Sequence, residues 1–134
     1  MKSSYVWRFT TAELLESIQT KLGIALDIVS ELDEAHNNLA ARESRIDSLK
    51  QELSEKEEEY EGIKEAPESG GEHVGEHLDD LTRQMGKLQN EITENEAKLN
   101  ELQRRRQDLS EELEETLDEI LDELSLLQDE IEKK

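Results

Sequence analysis

Two long segments of the chain carry apolar residues at alternating intervals of three and four positions. In the first, residues 11–65, one apolar row repeats every seven residues and a second row follows three residues later. A heptad pattern sustained over about five repeats is typical of a coiled coil, in which each helix buries a narrow seam against another helix. Only Arg42 and Lys56 interrupt the second row. The pattern predicts an all-α protein built from long helices.

The second segment, residues 75–132, has the same pattern with one change of frame. Asn95 and Arg106 are its polar exceptions. From Leu109 the apolar row takes two consecutive steps of four, to Leu113 and then to Leu117, and continues from there in a shifted frame. An insertion of this kind is a stutter, which locally unwinds a supercoil. The sequence therefore predicts a stutter near Leu117.

Residues 66–74 separate the two segments and contain Pro67, Gly70 and Gly71, the strongest cluster of helix breakers in the chain. A short turn between long amphipathic helices favours an antiparallel hairpin. Folding the chain there brings Leu53 near Met85 and sets apolar rows against apolar rows. The alternative is a pair of parallel rods joined by a flexible link. We expect one elongated domain with the hairpin fold.

The apolar stripes become too wide for a two-helix seam at residues 14–32 and 109–131, which the hairpin brings to the same end. A stripe of that width must contact more than one other helix. We expect self-association there, most simply a two-fold dimer with a four-helix base, although a partner protein would serve equally well. The predicted oligomerisation seam comprises Leu22, Ile28, Leu32, Leu39, Ile46, Leu53, Leu88, Ile92, Leu99, Leu113, Leu117, Ile120 and Leu124.

The first ten residues, which we expect to be extended, hold three of the four aromatic residues of the chain. Thr10 and Glu13 have the spacing of a capping box at the start of the first helix, and Phe9 and Leu14 have that of a hydrophobic staple. Tyr5 and Trp7 have no such local role. They either seal the wide end of the hairpin or anchor a partner, since aromatic residues dominate binding hot spots. The predicted partner-binding residues are Tyr5, Trp7, Phe9, Leu14 and Leu15.

The chain has a net charge of -20, which disfavours direct binding to anionic membranes or nucleic acid and favours partners with basic surfaces. Twelve acidic residues and no Lys or Arg lie between positions 107 and 132. At about 1.5 Å per residue, this run approaches the roughly 3.4 Å charge spacing of one DNA strand. The run therefore suggests either a nucleic-acid mimic or simply a solvated helix face. The residues of this acidic face are Asp108, Glu111, Glu112, Glu115, Asp118, Glu119 and Asp122.

Little in the sequence points to catalysis or to a cofactor. Cysteine is absent, no Gly-rich phosphate loop is present, and no apolar run is long enough to span a membrane. His73 and His77 share one helix face and are a weak candidate for a metal pair, which a polar turn explains equally well. We expect Arg106 to pair with Glu31 or Asp33 across the hairpin. We expect no cofactor, no metal and no enzymatic activity, and an intracellular, reducing location such as the cytoplasm.

The heptads resemble those of coiled-coil proteins in general, including the arms of chromosome-organising ATPases and the subunits of prefoldin-type chaperones. That resemblance is confined to the pattern and implies no specific family. The leading hypothesis is a non-enzymatic interaction module that scaffolds, tethers or adapts protein partners. The alternative is an acidic inhibitor that mimics nucleic acid and blocks a DNA- or RNA-binding protein.

Overall fold

The computed structural model describes residues 10–65 and 73–133, which form two long helices. Helix α1 spans Thr11–Glu65 and helix α2 spans His73–Glu132. The start of α2 lies two residues before the position expected from sequence. The helices pack against each other within two compact units, which are described separately below. Unit 1 comprises Met1–His36 with Arg105–Lys134, and unit 2 comprises Asn37–Arg104.

A capping box starts α1, as the sequence predicts. The Glu13 amide donates to the Thr10 hydroxyl oxygen at 3.1 Å, and the Thr10 amide donates to the Glu13 carboxylate at 3.4 Å. These bonds satisfy amide groups that have no acceptor within the first turn of a helix. Phe9, the other half of the predicted hydrophobic staple, lies outside the described residues.

Contacts between α1 and α2 show that the helices run antiparallel in each unit. In unit 2, Arg42 contacts Asn95 and Arg45 contacts Glu91, so the numbering falls on α2 as it rises on α1. In unit 1, Ser17 contacts Glu123 and Glu31 contacts Arg105, so the numbering falls on α2 as it rises on α1 there too. Within each unit the two helices are therefore antiparallel, as in a helical hairpin, and the parallel alternative is wrong there.

One row of buried and half-buried residues on each helix forms the contact with the other, and we call these rows the intramolecular seam. On both helices the seam alternates steps of three and four. Arg106 has the spacing of the row but is exposed. The α1 row is 14, 18, 21, 25, 28, 32, 35, 39, 42, 46, 49, 53, 56, 60 and 63. The α2 row is 78, 81, 85, 88, 92, 95, 99, 102, 109, 113, 116, 120, 123, 127 and 130.

The predicted stutter is wrong, because the seam keeps its frame beyond Leu113. It continues through Thr116 and Glu123, while Leu117 and Leu124 are exposed. A prediction based only on apolar spacing places Leu117 and Leu124 in the seam. The helix instead keeps the alternating step that holds its seam against α1, and accepts polar residues in the row.

Each unit has a small apolar core on its seam. In unit 1 the core contains Leu14, Ile18, Ala25, Ile120 and Leu127, with Leu113 packed against it. In unit 2 it contains Leu49, Leu88 and Ile92, with Leu53 packed against it. Across residues 10–65 and 73–133, neither helix has a stretch apolar and long enough to cross a membrane.

Candidate protein-interaction surface

Exposed large hydrophobic side chains are confined to unit 1 among the described residues. None of them belongs to unit 2, although unit 2 has seams of the same spacing. Surface hydrophobic residues that occur singly are ordinary, whereas a group in one region marks an interaction site. The group consists of Leu15, Leu22, Ile24, Leu26, Val29, Leu117, Leu121, Leu124, Leu126 and Ile131.

Eight of these residues directly follow a seam residue, and this relation puts them on one side of the helix pair. One residue corresponds to about 100° around an α-helix. In an antiparallel pair, a turn of that size from the seam leads to the same side on both helices. We call these eight residues the apolar face: Leu15, Leu22, Leu26 and Val29 on α1, and Leu117, Leu121, Leu124 and Ile131 on α2.

The equivalent positions in unit 2 are polar or small. They include Ala40 and Asp47 on α1 and Glu96 and Asn100 on α2, all of them exposed. The contrast shows that the apolar face is a property of unit 1 and does not follow from the heptad repeat itself.

A charged pair lies inside the seam of unit 1, next to the exposed leucines. The Lys21 ammonium donates a hydrogen bond to the Glu123 carboxylate, which also accepts one from the Ser17 hydroxyl at 2.9 Å. The Glu123 side chain is 14% exposed, whereas Leu124 beside it is 43% exposed. The usual arrangement, with the charge in water and the leucine buried, is thus inverted within the monomer.

The surroundings of this pair shift the pKa values of both groups. The hydrogen bond to Glu123 raises the pKa of Lys21, and the nearby charges of Glu123 and Glu119 add to this against the opposing effect of burial. Burial pushes the pKa of Glu123 upward, but hydrogen bonds from Lys21 and Ser17 outweigh it and hold the pKa below its ordinary value. Both groups are therefore charged at neutral pH.

The seam of unit 2 contains a second polar pair, formed by Arg42 and Asn95, two of the three residues that interrupt the heptads there. Arg42 Nη1 donates to Asn95 Oδ1 at 2.6 Å. The Asn95 amide nitrogen donates in turn to the Glu91 carbonyl oxygen at 2.7 Å, which orients the side chain. A polar pair at a seam position specifies the register of two helices, since any slip leaves both groups without a partner.

The structure places the predicted oligomerisation seam in two different environments. Leu22, Leu117 and Leu124 lie on the apolar face, outside the intramolecular seam, and their role in oligomerisation stays a prediction. Their seam positions are taken by Lys21, Thr116 and Glu123. The other predicted members are buried or half-buried in the intramolecular seam: Ile28, Leu32, Leu39, Ile46, Leu53, Leu88, Ile92, Leu99, Leu113 and Ile120.

The predicted partner-binding residues do not all lie in one place. Leu14 is buried in the core of unit 1, and Leu15 is exposed on the apolar face. Tyr5, Trp7 and Phe9 lie outside the described residues. Adjacent apolar pairs such as Leu14 with Leu15 are the sequence signal for this arrangement, because one member serves the seam and the other the face.

The three consecutive arginines Arg104–Arg106 and the histidine His77 are exposed, and two of these residues make contacts at the surface. Arg105, rather than the predicted Arg106, pairs with Glu31 at 3.1 Å, because Arg105 lies beside α1 at the edge of the seam. His77 Nε2 lies 3.5 Å from a Glu59 carboxylate oxygen in unit 2. Among the residues that the structure describes, no group of three or more potential ligands is placed to hold a metal ion.

The predicted acidic face is exposed throughout. All seven of its residues, Asp108, Glu111, Glu112, Glu115, Asp118, Glu119 and Asp122, lie on the surface of α2. Glu119 contacts the Lys21 ammonium at 3.6 Å. The acidic face thus borders the apolar face on the same helix.

Comparisons with known proteins return no match: no family model, no curated protein and no solved structure resembles this chain closely enough to assign it.

Proposed function

We propose that the protein is a non-enzymatic interaction module whose docking surface is the apolar face of unit 1. The observation that carries the proposal is the confinement of every exposed large hydrophobic side chain, among the described residues, to that unit. Leucines left in water next to a charged pair held in the seam oppose the stability of an isolated monomer. Such an arrangement is favourable when another protein surface covers the leucines. The module would then scaffold or tether whatever it binds.

The aromatic residues before α1 add to this proposal. Tyr5 and Trp7 precede the start of α1 in unit 1 and remain candidate anchors for a partner. A location in the cytoplasm, or another reducing compartment, is part of the same proposal and is supported by the absence of cysteine.

Site-specific photo-crosslinking in the native host tests the proposal. A benzophenone amino acid replaces Leu26 on the apolar face, and, as the matched control, Ala40 at the equivalent position of unit 2. We expect protein adducts from position 26 and none from position 40. Equal adducts from both positions, or none from position 26, would refute a docking role for this face.

The second candidate function is nucleic-acid mimicry by the acidic face, and the full exposure of its seven residues favours it. Binding by charge mimicry weakens steeply as salt rises, whereas apolar docking does not. Replacing the seven acids with Asn and Gln removes binding if mimicry operates. The double variant Leu26→Glu/Leu121→Glu removes binding if the apolar face operates. If the seven-acid variant still binds, mimicry is rejected. If the double leucine variant still binds, docking by the apolar face is rejected.

A further inference from the structure

We infer that the occupant of the apolar face is a second copy of this chain. The two copies of unit 1 then pack face to face and form a four-helix bundle. This inference rests on the proposed function, since it names the partner of the same surface. Two features of the face, its width and its extent, favour a second copy.

The width of the face exceeds what one partner helix covers. Leu26 and Leu121 follow Ala25 and Ile120, and they turn further from the groove between α1 and α2 than their neighbours do. They are 69% and 61% exposed, the highest values on the face. A single helix lying in the groove covers Leu15, Leu22 and Leu117 but leaves these two at its flanks. A second two-helix layer covers both flanks at once.

Several positions that border the face are uncharged. Gln19, Gly23 and Ser30 on α1, and Ser125 and Gln128 on α2, are exposed beside its residues. In a chain that is 39% charged, these positions match the depletion of charge in the core of protein interfaces. Glu16, Glu114 and Asp118 are charged and lie on the same side, so that their repulsion between two copies is reduced by salt.

The extent of the face is also close to that of a stable interface. The eight residues of the face and the eight bordering residues named above make 16 per copy, somewhat below the roughly 20 to 30 per side of a standard interface. The seam chemistry agrees with this assignment. Lys21 and Glu123 pair within one copy, which leaves Leu22 and Leu124 available to the other.

Measurement of molar mass by sedimentation equilibrium on the purified full chain tests the inference. We expect a mass about twice the 15.5 kDa of one chain for the wild type. Leu26→Glu/Leu121→Glu should weaken the dimer by at least ~30-fold, the factor associated with loss of an interface hot spot. Both residues are exposed in the monomer, so circular dichroism should show unchanged helix content.

The matched control is Ala40→Glu/Asn100→Glu, which adds the same charges at the equivalent heptad positions of unit 2. It should leave the dimer intact. Raising NaCl from about 0.1 M to about 1 M should strengthen the dimer, because it shortens the screening length from roughly 10 Å to roughly 3 Å between two acidic copies.

A wild-type chain that stays monomeric at both salt concentrations overturns the inference. So does a dimer that survives Leu26→Glu/Leu121→Glu, or one that the control disrupts equally. The crosslinking test distinguishes this failure from failure of the proposed function. An adduct of position 26 with a different protein, together with a monomeric pure chain, rejects the second copy and keeps the interaction module.

Discussion

Lys21 and Glu123 form an ion pair inside the seam of unit 1, where most coiled coils place leucine or isoleucine. Replacing a well-buried ion pair with apolar residues is often neutral or stabilising, whereas removing one partner leaves a charge without compensation. We therefore predict that Lys21→Leu/Glu123→Leu unfolds at the same temperature as the wild type or higher. Glu123→Leu alone should lower the free energy of unfolding by about 1 to 3 kcal/mol. Thermal unfolding followed by circular dichroism, at one protein concentration, measures both.

The two pKa shifts also predict how the stability difference between the wild type and Lys21→Leu/Glu123→Leu depends on pH. The lowered pKa of Glu123 means that its contribution is lost as pH falls through its folded-state pKa, below the ordinary glutamate range. The raised pKa of Lys21 means that its contribution is lost as pH rises through its folded-state pKa, above the ordinary lysine range. The stability difference between wild type and double variant should thus be constant from about pH 5 to about pH 10. A difference that changes with pH inside this window would contradict the pairing.

Prediction from the sequence was least complete for the positions of individual side chains. The capping box of Thr10 and Glu13 was predictable, because it depends on two side chains three positions apart in the chain and on local geometry alone. The seam positions of Thr116 and Glu123 were not, because a search for apolar residues prefers Leu117 and Leu124. What decides between the two rows is the frame imposed by α1, which lies about a hundred residues away in the sequence.

At the level of the helices, the antiparallel pairing of α1 and α2 was predictable from the breakers at Pro67, Gly70 and Gly71. Their register also follows closely from sequence, since the contact of Arg42 with Asn95 continues the predicted register that sets Leu53 near Met85. The predicted contact of Arg106 was wrong by one residue. Which of three consecutive arginines faces α1 depends on the local rotation of the helix, and heptad counting does not resolve it.

We predict that cysteines at Leu53 and Met85 form a disulfide within one chain under oxidising conditions. Both positions lie on the seam of unit 2, and Leu53 packs against its core. Leu53→Cys/Leu99→Cys is the matched control, because its two sites are displaced along the seam by about 21 Å at 1.5 Å per residue. Non-reducing electrophoresis at low protein concentration separates intramolecular from intermolecular products. Equal intramolecular yields from both pairs would reject the register.

For the whole molecule, the net charge of -20 opposes folding through repulsion among acidic side chains. We predict that the unfolding temperature rises between about 0.1 M and about 1 M NaCl, where the screening length falls from roughly 10 Å to roughly 3 Å. The rise should be smaller in the variant whose seven acidic-face residues are replaced with Asn and Gln. Both chains should also carry Leu26→Glu/Leu121→Glu. These changes weaken self-association, so that it does not contribute to the unfolding temperature. An equal rise in both chains would show that charge elsewhere dominates.

The separation in sequence of the contacting residues determines when each unit can form as the chain is made. Arg45 and Glu91 of unit 2 are 46 residues apart, whereas Ser17 and Glu123 of unit 1 are 106 apart. At the roughly 5 to 20 residues per second of protein synthesis, the α1 half of unit 1 precedes its α2 half by about 5 to 20 s. During that interval both of its apolar rows, seam and face together, are exposed to water. The α1 half of unit 1 is consequently the part of the nascent chain with the greatest need of protection from aggregation.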